Sequence, residues 1–122
     1  MKKAILLTLS VIALTTFINV QSAIAQDIVE AWPGVTIKVL TENESVKVFR
    51  VTFAKNAVAD WHSHPEYTAY AVTNARIKAE EKGKEPAILD LKAGQAVWSP
   101  AVMHKTTNIG KKRLTLIVTE MK

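Results

Sequence analysis

From Val35 onward, short runs of β-branched and aliphatic residues recur at roughly ten-residue spacing, each closed by turn-forming residues. That rhythm favours a sandwich or barrel of strands. The runs cover residues 35–40, 46–53, 57–64, 67–73, 76–80, 87–91 and 95–99, a stretch around His104, and 114–119. Breaks fall at Glu42-Asn43-Glu44-Ser45, Lys82-Gly83-Lys84 and Asn108-Ile109-Gly110-Lys111. In the last run Leu114, Leu116 and Val118 share one face, since alternate residues of a strand point the same way. No sustained helical period follows the N-terminal segment, and Pro33, Pro65, Pro86 and Pro100 sit where strand edges or turns are expected. The expectation is an all-β fold, a small antiparallel β-barrel or double-stranded jelly roll, formed as one domain by residues 26–122.

The N-terminal segment has a different character. Met1-Lys2-Lys3 precedes an apolar stretch reaching Phe17, and Ala23-Ile24-Ala25 stands before Gln26. A basic start, an apolar centre and a small-residue site define a secretory signal. Thr8, Ser10, Thr15 and Thr16 dilute the apolar run, which favours cleavage after Ala25 over retention as a membrane anchor. The expected location is periplasmic or secreted, with no membrane association after cleavage. Loss of residues 1–25 removes two lysines and no acids, leaving 14 basic and 11 acidic residues, a net charge of +3. That small, dispersed excess does not argue for nucleic acid, and Lys111-Lys112-Arg113 fits a solvated turn. With no cysteine, a disulfide scaffold, a thiolate metal site, a cysteine nucleophile and a lipoprotein anchor are all excluded.

The chain has three histidines, His62, His64 and His104. His62 and His64 stand at i and i+2, so an extended strand aims both at one face. A third imidazole from a neighbouring strand completes a set of nitrogen ligands with positions left for water or substrate. Fe, Mn, Ni, Cu and Zn all suit such donors. Glu66 continues the parity of the pair and is a further candidate, as a ligand or as a partner of the ligands, with simple surface exposure as the alternative.

On these residues the chain resembles the cupin superfamily, over about Val35 to Thr119. His62 and His64 match the paired histidines of the first cupin motif, and Asn56 stands where that motif begins with glycine. Gly94 and Pro100 have five residues between them, as in the second motif, and His104 and Asn108 match its closing histidine and asparagine. The departures are specific. Thr68 or Ala69 falls where a glutamate ligand is expected, Ala75 replaces the second glycine, Val102 replaces the glycine of Pro-x-Gly, and His104 comes one residue early. The resemblance implies a three-histidine divalent transition-metal site without the usual carboxylate, similar in ligand count to cupin dioxygenases of the thiol type. It also implies a homodimer.

Several other residues carry expectations. Tyr70 and Val72 keep the parity of the histidines and are expected to face the interior, chiefly as core. Trp61 and Trp98 flank the two motif segments and are expected at the core or rim, with a wall of an apolar pocket as the functional alternative. Arg50 is expected to face outward, and Asn108 to fix the turn after the His104 strand. No nucleophile elbow or glycine-rich phosphate loop is present. Two functions fit: a small metal-dependent enzyme of dioxygenase, isomerase or hydrolase type acting on a small molecule, or a non-catalytic module that binds a small ligand or metal. No catalytic residue is identifiable from the sequence.

Overall fold

Ten strands, joined by turns and by short loops, account for almost all of residues 28–122, which are the residues the computed structural model describes. The expected signal segment and the new terminus at Gln26 lie outside the described residues. The strands are β1 (Val29–Trp32), β2 (Val35–Glu42), β3 (Val46–Phe53), β4 (Val58–His64), β5 (Tyr67–Ala71), β6 (Ala75–Glu80), β7 (Ala87–Leu91), β8 (Ala96–Ser99), β9 (Val102–Asn108) and β10 (Leu114–Met121). They form a six-stranded sheet in the order β1-β2-β3-β10-β5-β8 and a four-stranded sheet in the order β4-β9-β6-β7. Every pairing is antiparallel, and the architecture is the expected jelly roll.

Cross-strand register sorts the inner face of the larger sheet into rows. Val35, Phe53 and Leu114 form the first row, and Ile37, Val51, Leu116 and Ala71 the second. Val39, Phe49, Val118, Ala69 and Val97 make the third. The last row is polar: Glu42, Lys47, Glu120, Tyr67 and Ser99. The first-row end is closed, with Val35 at 0% and Leu114 at 1% exposure, while the polar row lies at the other end. Burial of these aliphatic and aromatic side chains contributes roughly 1.5–3 kcal/mol each and holds the two sheets face to face.

Strand parity is reset twice near the histidines. Ala59 pairs with Thr106 and His62 with His104, so β4 carries one residue more than β9 between these points. This is a β-bulge at Asp60-Trp61, and it lets Ala59, His62 and His64 all face inward although their numbers differ in parity. Pro65 and Glu66 then form the bend between β4 and β5, after which Tyr67, Ala69 and Ala71 face inward. Tyr70 and Val72 consequently point outward, 47% and 45% exposed, which corrects the expectation of an interior position. Trp61 and Trp98 are also exposed and lie outside the wall of the cavity between the sheets, while Arg50 faces outward as expected. Asn56 holds φ at 64°, the left-handed conformation anticipated for a residue in place of glycine.

Asn108 does more than fix a turn. Only 1% exposed, it donates from Nδ2 to the carbonyls of Ala54 and Lys112 at 3.1 and 2.9 Å, with Phe53 O at 3.4 Å, and its Oδ1 accepts from Gly110 N–H. One side chain thus ties the β3–β4 loop to the β9–β10 turn at the closed end. Asn108→Ala removes a donor shared by these carbonyls and the acceptor of Gly110 N–H, and is expected to cost about 1–3 kcal/mol. Asn108→Asp, which aims a carboxylate at the same carbonyls, is expected to cost more. Denaturant midpoints of the two variants against wild type measure both.

Candidate metal centre

The three imidazoles converge where β4 pairs with β9. His62 and His104 are direct register partners, and His64 lies two residues beyond His62 on the same inward face. Ring centroids stand 4.6 Å apart for His62–His104, 4.8 Å for His62–His64 and 5.2 Å for His64–His104. One nitrogen from each lies within 4.8 Å of the other two. His104 is 7% exposed, and the other two are half-buried.

The bulge also sets a tautomer. His62 Nδ1 lies 2.6 Å from the carbonyl of Asp60, the bulged residue, so Nδ1 carries the proton and donates it there. His62 Nε2 therefore presents a lone pair, and it faces His104 Nε2 at 3.1 Å. Two nitrogens at that separation can both reach one ion at the roughly 2.0–2.1 Å of a zinc–nitrogen bond. Burial, with His62 close by, pushes His64 and His104 down to about 4, so both rings are neutral at neutral pH. Neutral, preoriented imidazoles are what a divalent ion requires, and the donor set fits one.

Around the cluster lies a cavity of about 280 Å³ between the two sheets. Its interior is aliphatic and aromatic, from Phe49 and Val51 across to Ile77 and Leu91. Trp32 packs on His62 at 5.1 Å between centroids, and Phe49 stacks on His64 at 6.4 Å. Polar groups gather beside the histidines: Lys47, Tyr67 and Glu120 all line the cavity. Burial raises the Tyr67 phenol, partly offset by the neighbouring Ser99 side chain, and burial likewise raises the Glu120 carboxyl against the lowering effect of Lys47.

Glu66 does not join the histidines. The strand that gave it their parity ends at His64, and the exposed Glu66 carboxylate accepts a 2.8 Å hydrogen bond from Trp98 Nε1. At the position where a cupin glutamate is expected, Ala69 lines the cavity and Thr68 does not. Sequence reasoning missed Trp32, Lys47, Tyr67 and Glu120. The signal for Glu120 was available, since it continues the alternation of Leu114, Leu116 and Val118 by one step.

Solved structures share this arrangement of strands. A cupin domain from Bordetella pertussis is 24% identical, with a TM-score of 0.69 over 77% of this chain and 99% of that one. A cupin-like protein from Thermotoga maritima is 28% identical, with a TM-score of 0.58 over 70% of this chain and 67% of that one. The DMSP lyase DddQ from Ruegeria pomeroyi is 17% identical, with a TM-score of 0.61; the match covers 82% of this chain but only 57% of the lyase. No protein-family model matches the sequence, and no curated protein matches it. Two antiparallel sheets with a cavity between them define the double-stranded jelly roll. Its form here is that of the cupins: the chain has the cupin fold.

The neutral imidazoles make the metal-free protein acid-sensitive. The unfolded chain takes up protons near the ordinary 6.5, whereas folded His64 and His104 resist until about 4. Stability is therefore lost as pH falls from about 6.5 toward about 4. Glu120, raised by burial, acts in the opposite sense, one group against two histidines. Denaturant midpoints across this range should fall in wild type, and fall less steeply in His104→Gln.

Proposed function

We propose that this protein is an exported, metal-dependent cupin that handles one small, largely apolar molecule in the cavity beside its three histidines. The observation that carries the reading is the convergence of His62, His64 and His104 on that cavity. Export rests on the signal-like segment at residues 1–25, and the periplasm or the medium is the proposed destination.

A divalent ion held by the three imidazoles would supply Lewis acidity, or oxygen activation if it is iron(II). The chain itself supplies the rest. Trp32 and Phe49 cover two of the rings, and the aliphatic walls exclude water from the bound molecule. A volume of about 280 Å³ lies at the small end of ligand pockets, which run from roughly 300 to 1,000 Å³. Lys47, whose ammonium lies 6.0 Å from the Phe49 ring centre, places one positive charge beside the cluster for an acidic substituent. Tyr67 and Glu120 are the groups placed to exchange a proton with such a molecule. The same fold in a DMSP lyase supports an enzymatic role over a purely structural one.

Protein purified without chelator, or reconstituted in turn with Fe(II), Mn, Ni, Cu and Zn, is expected to hold about one equivalent of metal. His62→Ala/His104→Ala is expected to lose it. A wild-type protein that binds none of the five sinks the metal reading. Thr68→Glu is expected to leave affinity unchanged, because that side chain lies outside the cavity wall.

A further inference from the structure

The cupin motif's carboxylate is missing, yet a carboxylate stands against the cluster from another strand. Glu120, next to the end of β10, brings Oε2 to 3.5 Å from His64 Nδ1, with side-chain exposures of 15% and 14%. His64 Nδ1 is itself shielded from solvent and has no hydrogen-bond partner among the described residues. A buried imidazole N–H left unpaired is unfavourable, so the nearest acceptor matters. The aromatic neighbours of the His64 ring are Phe49, Tyr67, His62 and His104. The position of Glu120 is built rather than incidental. It is fixed on both sides by register, with Lys47 on β3 and Tyr67 on β5.

We propose that Glu120 is the positioning residue for His64, accepting Nδ1–H so that the ring keeps Nε2 unprotonated for the metal cluster. Asp60 O does the same for His62 through the backbone. Two of the three imidazoles thus have their outer nitrogen held by an oxygen, an arrangement that orients the ring and raises its basicity as a ligand. The proposal requires the 3.5 Å separation to close by a few tenths of an ångström, within reach of a side-chain rotation at Glu120. The consequence for metal binding rests on the three-histidine reading, whereas the tautomer does not.

The test is nitrogen-15 NMR of histidine-labelled, metal-free protein at pH 7.5, with zinc titration alongside. Three histidines make assignment simple. Wild-type His64 is expected as the Nδ1–H tautomer, Glu120→Ala as a mixture of both, and Glu120→Gln, whose amide oxygen still accepts, as wild type. Zinc affinity is expected to fall about tenfold or more in Glu120→Ala. His64 protonated on Nε2 in wild type, or a tautomer unmoved in Glu120→Ala, overturns the proposal. If Glu120→Ala fails to fold, the wild-type and Glu120→Gln spectra decide it. A tautomer that responds while wild type binds no metal supports the Glu120–His64 link and overturns the metal reading instead.

Discussion

The extra residue in β4 between Ala59 and His62 shifts that strand against β9, and the site depends on the shift. Without the bulge, strict alternation would keep Ala59 and Trp61 inward and turn His62 and His64 to solvent. With it, both imidazoles face the cavity and His62 becomes the register partner of His104. The displaced peptide also acts chemically, because the Asp60 carbonyl takes the Nδ1 proton of His62. A single backbone irregularity aims two rings and sets the tautomer of one.

The second organising feature is the gradient along the inner face of the six-stranded sheet. Three apolar rows lead to a fourth composed of Glu42, Lys47, Glu120, Tyr67 and Ser99. The apolar rows close one end and give the cavity walls of low polarity, which keep His64 and His104 neutral. The polar row then meets the histidines at the other end. Glu42 is drawn away by Lys122 at 2.6 Å, which leaves Lys47 and Glu120 as the charged groups lining the cavity among the described residues. An apolar pocket with a few converging polar groups is the usual form of a small-molecule site.

Much of this was legible in the sequence, for reasons particular to each element. The strands from Val35 onward announced themselves by β-branched runs and turn residues, and the histidine pair by its two-residue spacing. Asn56 and Asn108 were correctly assigned to backbone roles because asparagine tolerates and stabilises turns. β1 escaped notice because Val-Glu-Ala-Trp carries little alternation and gains its order from pairing with β2. Extrapolated parity failed for Glu66, Tyr70 and Val72, since the Pro65–Glu66 bend restarts the alternation. The last strand was read as ending at Thr119, one residue short of Glu120.

By itself the sequence determined an all-β chain, three histidines able to share a strand pair, and the absence of thiol chemistry. Those properties reside in local pattern and composition, which need no partner strand. Tertiary structure alone decided which carboxylate stands beside the histidines. Glu66 is two residues from His64 in sequence yet points to solvent, while Glu120, more than fifty residues away, lies 3.5 Å from its ring. Register between strands, bulges and turn geometry govern that choice, and each is a relation between distant segments rather than a property of any one of them.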